Sequence, residues 1–538
     1  MIEEASQFVL VIVWALILAY FLGGYLTRLI TGRPRMFETF LSRIERPVFR
    51  IMGIDPTRSM TWKEYLFALL SMNALVGVFS FVVLLAQGVL PLNPTGVPGT
   101  SPDLAFHTAT SFATNTDLQH YAGEASLSLF SQLSLMVPMF IAPGTAIAAG
   151  IAFIRALPTS TGKIGNFYAD LTRVVLTILL PVSIVVAILL NSQGVPQTLN
   201  GLLTTGSFEG ASQTIPIGPV ASWESIKMFG QNGGGFFGAN SAHPFENPNG
   251  FTNLLEVIFL LAVPLAFPIA YGKVLGRGRG LAFLAVILVS FFLLFGFALL
   301  GGGAPIGQET RFQGFGSLLF QQSSIGANTG ATNALLESLS HRATTSLFVL
   351  MFIQAVPGGA GAGFMTLVIY AILTLFLVGL IVGKTPEFIG IKISPRQVRL
   401  AVITFLVHPV LILIPTAIAF VYGHVQGILG TPTTPFGYTQ ALYEFTSAAA
   451  NNGSDFLGTL ANTPFWNIAT GLVMVLGRYV PIGLMLAIAG EFSTQGARGT
   501  PEPIRTDGLP FTVTLFGLTF LLSALAFLPF LVIGPFVR

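Results

Sequence analysis

Four short stretches rich in Asn, Gly, Ser and Thr, and almost free of charge, each lie between two long apolar runs. A half-helix followed by an extended strand presents backbone carbonyls that can replace the hydration shell of an ion. The residue types and their placement therefore predict pore loops. The four loops are Thr114-Asn115-Thr116-Asp117, Gln231-Asn232-Gly233-Gly234-Gly235, Ser323-Ser324-Ile325-Gly326-Ala327-Asn328 and Ala450-Asn451-Asn452-Gly453-Ser454.

A segment with helical character precedes each loop, over residues 103–113, 223–230, 315–323 and 438–449. Non-helical backbone survives at membrane depth only where it is buried or lines a polar cavity. Four such loops therefore predict one central pathway built by a single chain, which then has no need to form a homo-oligomer. The alternative is that these residues are ordinary turns between helices.

The chemistry of the loops suits a monovalent cation. Glycine permits backbone angles that turn successive carbonyls toward an axis, and neutral dipoles suit an ion that must be dehydrated and then released. Charge is confined to Asp117 and Asp455 at the outer margins. The residues predicted to bind the ion are Thr114, Asn115, Thr116, Gln231, Asn232, Gly233, Gly234, Ser324, Ile325, Gly326, Ala327, Asn451, Asn452 and Gly453.

The composition predicts an all-α polytopic membrane protein. The chain is 53% hydrophobic and 9% charged over 538 residues, and it contains no cysteine, which excludes disulfides and cysteine-based metal sites. Many runs approach the ~20 apolar residues that cross a bilayer. Ten spans are predicted, at 6–30, 65–90, 126–154, 171–190, 251–275, 281–300, 345–382, 400–422, 465–489 and 511–533.

Most of the 25 basic residues fall in loops on one side when the ten spans are threaded alternately. By the positive-inside rule that side is cytoplasmic, so both termini and all four pore loops are expected outside. The net charge of +3 is therefore a topological signal and does not indicate nucleic-acid binding.

Threading also predicts the organisation of the chain. An N-terminal helix and basic loop (1–62) precede four pore repeats (63–160, 161–278, 279–395 and 396–495), and a C-terminal helix follows (496–538). Each repeat is two spans flanking a pore loop. The first and last spans are additions to this pseudo-fourfold core.

Long strings around the loops resemble one family, the potassium-binding A subunits of bacterial Kdp-type potassium-transporting ATPases. They are Thr114-Asn115-Thr116 with Gln119, residues 226–237 and 239–248, and residues 449–454. The resemblance covers nearly the whole chain. It implies a four-loop selectivity filter that includes Gln119, potassium as the transported ligand, and no cofactor bound by the chain. It also implies a bacterial inner-membrane location and three partners: a P-type ATPase B subunit, a single-pass C subunit and a small F subunit.

A Pro- and Gly-rich break interrupts the seventh run. The segment Val356 to Gly363 contains Pro357, which disrupts helical hydrogen bonding. An unwound stretch beneath the third loop could control the path, as the resemblance implies; close packing of small residues is the alternative. The residues proposed for this role are Gly358, Gly359, Gly361 and Gly363.

Charged residues near the pathway are further candidates. Arg478 is the one basic residue deep within an apolar run, where a charge normally faces a cavity or a partner; snorkelling to the interface is the alternative. We expect Lys227 to orient the second loop. His243 and Glu246 are expected to fix that loop by hydrogen bonds, since one His and one carboxylate are too few ligands for a metal site.

No phosphorylation motif or complete phosphate-binding loop is present, since Gly383-Lys384-Thr385 has Val378 where the leading glycine belongs. The chain is therefore expected not to hydrolyse ATP, and transport energy comes from a partner or a gradient. Two alternatives to the ATPase subunit stay open: a gradient-driven potassium symporter subunit of the same superfamily, and a stand-alone cation channel.

Overall fold

The computed structural model describes residues 2–35, 38–206, 210–301, 311–422, 435–495 and 505–534. Within these ranges ten helices are long and apolar enough to cross a membrane, which confirms the predicted fold class. The chain begins with α1 (Ile2–Thr31), a span, and α2 (Glu38–Ile51), a charged helix beside its end. The predicted boundary between the fourth pore repeat and the C-terminal helix, at 496, lies outside the described residues.

The first pore loop lies between two spans. The first of them, α3 (Trp62–Ala86), begins at a capping box, in which the side chains of Thr61 and Glu64 each bind the other residue's backbone amide. Such reciprocal bonds satisfy amides that a helix start leaves open. The half-helix α4 (Pro102–Ala113), a single turn α5 (Gly123–Ser126) and the span α6 (Leu129–Ala156) follow.

The second repeat carries a small hairpin outside its loop. Its first span is α7 (Phe167–Val174), a π-helical turn (Val175–Leu179) and α8 (Leu180–Ser192). Antiparallel strands β1 (Leu202–Gly206) and β2 (Ser212–Pro216) come next, with Leu202 opposite Pro216. The half-helix α9 (Val220–Phe229) leads to the loop, and the span α10 (Gly250–Leu275) completes the repeat.

The third repeat contains the broken run. It comprises α11 (Arg277–Leu299), the half-helix α12 (Gln313–Gly326), α13 (His341–Ile353) and α14 (Ala362–Val382). The predicted seventh run is thus two helices separated by residues 354–361, with Gln354 in the left-handed conformation. A short hairpin, β3 (Glu387–Phe388) and β4 (Ile391–Lys392), leads to the fourth repeat.

The fourth repeat comprises α15 (Pro395–Val421), the half-helix α16 (Pro435–Ala450) and α17 (Pro464–Gln495). The last span, α18 (Leu509–Ala526), is shorter than predicted, because the chain breaks at Phe527 before α19 (Leu528–Ile533). Pro529 explains the break, since proline lacks an amide and its ring displaces the preceding backbone from helical geometry.

The second span of each repeat is the inner one. Buried residues make up 83%, 72%, 61% and 61% of the apolar windows of α6, α10, α14 and α17, against 39%, 33%, 50% and 28% for the first spans of the same repeats. Spans that are apolar all round but half-exposed face lipid. The inner four therefore surround the pore loops, and the outer four shield them from the bilayer.

Candidate functional site

Each half-helix ends in the same backbone turn. The first residue of the turn has a positive φ, between 51° and 59°, and bears an amide side chain. Its backbone amide donates to the carbonyl three residues earlier. Asn tolerates this left-handed conformation better than most residues. The four equivalent residues are Asn115, Gln231, Asn328 and Asn451.

The next residue in each loop confirms the equivalence. Its amide donates to the carbonyl five residues earlier, at 2.9–3.0 Å in all four loops. The residue after that again has a positive φ, which glycine adopts without steric cost. These triplets are Asn115-Thr116-Asp117, Gln231-Asn232-Gly233, Asn328-Thr329-Gly330 and Asn451-Asn452-Gly453.

The middle residue of each triplet presents an open carbonyl. Within the described residues, none of these four carbonyl oxygens accepts a hydrogen bond, although all four residues are buried. Buried carbonyls are normally paired, so unpaired ones need a partner such as a cation. The four residues are Thr116, Asn232, Thr329 and Asn452.

Close contacts place the loops in a ring. A Cβ atom on Gly233 would overlap the carbonyl oxygen of Thr329, one on Gly330 that of Asn452, and one on Gly453 that of Thr116. The ring closes where a Cβ on Gly234 would come within 2.8 Å of the Asp117 Cβ. The order is therefore second, third, fourth and first loop, and glycine is required where backbones approach this closely.

The third loop does not lie where the sequence predicted. Ser324, Ile325 and Gly326 belong to α12, and Ala327 directly caps it. The carbonyls of Ser324 and Ile325 accept the amides of Thr329 and Asn328, and that of Gly326 accepts the amide of Gly358. Residues 324–326 are helical and their carbonyls already accept backbone amides, so the prediction of extended backbone at 324–327 is wrong, and the open carbonyl of this loop is that of Thr329. The missed signal is the Asn-Thr-Gly triplet, which matches the other three loops.

Polar side chains join the loops to one another. Gln119 binds both the amide and the carbonyl of Gly235, at 2.9 and 3.0 Å. The side-chain amide of Asn115 donates to the Gln231 carbonyl at 2.7 Å, and the side-chain amide of Asn451 donates to the Thr116 hydroxyl at 2.9 Å. These bonds hold the carbonyls of different quarters at fixed positions. A cavity of about 340 Å³ lies beside them, lined by residues of all four loops including Asp117, Gln119 and Asp455.

A buried ion cluster supports the second loop. The Lys227 ammonium lies 3.0 Å from Glu224, 2.7 Å from Glu246 and 2.8 Å from the Ser241 hydroxyl, and all four residues are fully buried. Glu246 also accepts the amide of Phe237 at 2.8 Å. Lys227 therefore ties α9 to the chain leaving the loop, as an orienting residue should.

His243 belongs to the same loop. Its ring stacks on Phe237 with centroids 3.8 Å apart, and its Nδ1 accepts the amide of Phe245 at 3.1 Å. Burial lowers the pKa of His243. The neutral ring therefore serves as a packing and hydrogen-bonding group.

A second polar cluster, not predicted from the sequence, joins the first and fourth repeats. His120 lies between Asn467, 2.7 Å from Nδ1, and Glu444, 3.0 Å from Nε2. The amide nitrogen of Asn467 donates to Asp103 at 2.7 Å, so its oxygen faces His120 and Nδ1 carries a proton. The signal available was a set of polar residues within helical, otherwise apolar segments.

The break after α13 contacts the third repeat and the inner spans. Gly358 binds Gly326, and Gly359 faces the side chain of Asn328. A Cβ on Gly361 would overlap the Ala146 carbonyl of α6, and Gly363 lies against Gly358. The unwound segment is therefore packed between the third loop and α6.

Arg478 lies in α17 and is 9% exposed. Its guanidinium donates to the Ala142 carbonyl at a long 3.5 Å, and no carboxylate lies within 4.0 Å of it in the described part of the chain. Gly477 packs against the Ala449 carbonyl at the end of α16. A buried charge with so few partners is available to act on an ion.

A family model and curated relatives point to one family, and a solved structure shares the fold. A family model described as the potassium-transporting ATPase A subunit matches residues 9–538. The potassium-transporting ATPase potassium-binding subunit of Geobacillus kaustophilus is 43% identical, with 98% of each chain covered. That of Gloeobacter violaceus is 43% identical, covering 99% of this chain and 97% of the relative. The potassium transporter TrkH of Vibrio parahaemolyticus superposes with a TM-score of 0.54 at 17% identity, over 90% of this chain and 98% of that one, so it shares the fold.

Proposed function

Since the chain belongs to the potassium-transporting ATPase A subunit family, we infer that it is the potassium-binding, non-catalytic subunit of such a complex. Catalysis belongs to another subunit. The relatives that carry this function match over nearly the full length of both chains. That match favours the ATPase subunit over a symporter subunit or a stand-alone channel.

The four open carbonyls of Thr116, Asn232, Thr329 and Asn452 form the selectivity filter. The observation that carries this assignment is the fourfold repetition of one backbone turn, with a buried, unpaired carbonyl at the same place in each copy. Neutral carbonyl dipoles replace the water shell of a monovalent cation, and the bonds between loops keep the ring from collapsing. Asp117 and Asp455 in the adjoining cavity attract cations toward it.

Potassium enters from the outer side, and the basic loops face the cytoplasm of the bacterial inner membrane. The packed break at 354–361 blocks straight passage, and the ion leaves toward a P-type ATPase B subunit. A single-pass C subunit and a small F subunit complete the assembly. The contacts of Gly358 and Gly361 support a barrier, because they fill the space beneath the third loop with backbone.

A heavy monovalent cation tests the filter directly. Thallium has the charge of potassium and a similar size, so the assembled complex prepared in thallium should show ion density among the four carbonyls. Density at another site, or no density at a saturating concentration, would contradict the assignment.

A further inference from the structure

An apolar cavity of about 470 Å³ lies between α1, the π-helical turn with α8, and α10. Its volume falls within the ~300–1,000 Å³ typical of small-molecule sites. Leu18, Phe21, Val182, Phe229 and Phe259 supply apolar walls. The cavity therefore suits a hydrocarbon chain.

Two cations line the same cavity. Arg28 lies in the last turn of α1 and Lys273 in the last turn of α10, and both side chains are exposed. The Lys273 ammonium lies 4.1 Å from the centre of the Tyr20 ring and 3.4 Å from the Tyr20 carbonyl. Both helices end here on the face with the basic loops, where long basic side chains reach toward lipid headgroups.

Within the described residues, Arg28 and Lys273 have no carboxylate partner, whereas Arg35 and Arg155 near the same face do. Arg35 binds both Glu38 and Glu45, and Arg155 binds Asp170 through two bonds of 2.8 Å. In the described part of the chain neither Arg28 nor Lys273 has a carboxylate within 4.0 Å, and no acidic residue lines the cavity. The positive charge is therefore available to an external anion.

We propose that this cavity binds an anionic phospholipid of the leaflet on the basic face, with its phosphate between Arg28 and Lys273 and an acyl chain along the apolar wall. Basic pockets between membrane-spanning helices recognise lipid headgroups in this way. The wall of the site includes Phe229, the last residue of the half-helix that carries the second loop. This placement makes the bound lipid a structural link between α1 and the second pore repeat.

Native mass spectrometry of the delipidated, assembled complex, titrated with phosphatidylglycerol, tests the proposal. Each basic residue contributes about fivefold to binding an anionic lipid, so the double variant Arg28→Gln/Lys273→Gln should bind about 25-fold more weakly. The matched control, Arg43→Gln/Arg50→Gln, removes the same charge from exposed positions of α2 and should bind normally. An equal loss in both variants would mean diffuse attraction and would overturn the site.

The headgroup alone separates a lipid site from a soluble-anion site. Glycerophosphoglycerol and inorganic phosphate carry the anion without an acyl chain, and neither should displace the lipid at millimolar concentration. Displacement of the lipid by either anion would show that the apolar cavity plays no part in lipid binding. Absence of phosphatidylglycerol binding to the unmodified complex would also refute the proposal.

Discussion

The backbone amide of Gly358 donates a 2.9 Å hydrogen bond to the carbonyl oxygen of Gly326. The bond joins the break in the third repeat to the end of the half-helix that carries the third loop. Because Gly359 also faces Asn328, movement of the break and movement of this loop are coupled.

Gly358→Ala should open the barrier. Gly358 has a φ of +87°, and a Cβ there would lie 2.8 Å from Gly363 and 3.0 Å from the Gln354 carbonyl. A left-handed non-glycine residue costs roughly 1–2 kcal/mol, so the break should shift. Passive rubidium flux through the complex in vesicles, without ATP, should rise severalfold. Gly359→Ala is the control, since its Cβ meets the Asn328 side chain at an ordinary 3.4 Å; equal flux in both variants would contradict a barrier.

Lys227→Met should destabilise the protein strongly. The change leaves Glu224 and Glu246 buried without their cation, and breaking a buried pair typically costs about 3–5 kcal/mol. Thermal unfolding in detergent should show the loss, and adding Glu224→Gln and Glu246→Gln should recover part of it. Lys163→Met is the matched control: its ion pair with Glu64 spans 3.7 Å between side chains that are 43% and 44% exposed, and such pairs are worth about 0–1 kcal/mol. Similar losses in both variants would show that the cluster does not support the loop.

Arg478→Gln should alter transport and leave folding intact. Its single long hydrogen bond contributes little to stability, whereas its buried charge influences a nearby cation. Uptake kinetics and ATPase coupling should change at normal expression. Arg155→Gln, in contrast, should lower stability, because the Arg155 side chain binds Asp170 and the carbonyls of Leu29 and Ile30. Unchanged uptake in the Arg478 variant would assign the residue to membrane anchoring.

The sequence predicted the first, second and fourth half-helices well, because each of these has a clear end. The predicted segments 103–113 and 438–449 are α4 (Pro102–Ala113) and α16 (Pro435–Ala450). In the third loop, Ser323 to Gly326 has the composition of a turn, yet packing against the break keeps it helical. The bond between His120 and Glu444 spans 324 positions of the chain, and no local pattern could reveal it.

Gly233→Asp should weaken potassium binding. A side chain there would overlap the Thr329 carbonyl and place a carboxylate beside neutral dipoles. A misplaced carbonyl should cost on the order of 1–3 kcal/mol, so apparent affinity should fall roughly ten- to a hundredfold, with weaker discrimination against rubidium or sodium. The ATPase activity of the complex, stimulated by potassium or by the competing ions, measures both the apparent affinity and the discrimination. Gly250→Asp is the control: a Cβ on Gly250 meets nothing within 4 Å, so affinity should stay unchanged.

The position of the third quarter gives the sharpest test, because Gly330 and Gly326 predict different phenotypes. Gly330 has a φ of +76°, and a Cβ there would overlap the Asn452 carbonyl. Gly330→Ala should therefore displace the Thr329 and Asn452 carbonyls, lower potassium affinity by roughly ten- to a hundredfold and relax selectivity.

Gly326 is helical, and its Cβ would meet Val356 and Pro357 of the break at 2.8 and 3.0 Å. Gly326→Ala should accordingly raise passive rubidium flux, as Gly358→Ala does, while the ratio of potassium to rubidium affinity stays that of the unmodified protein. Passive rubidium flux and ion affinity, measured on both variants, decide which residues form the third quarter of the filter. Loss of selectivity in Gly326→Ala with normal selectivity in Gly330→Ala would assign that quarter to residues 324–327. The equivalence of the four backbone turns would then carry no functional meaning.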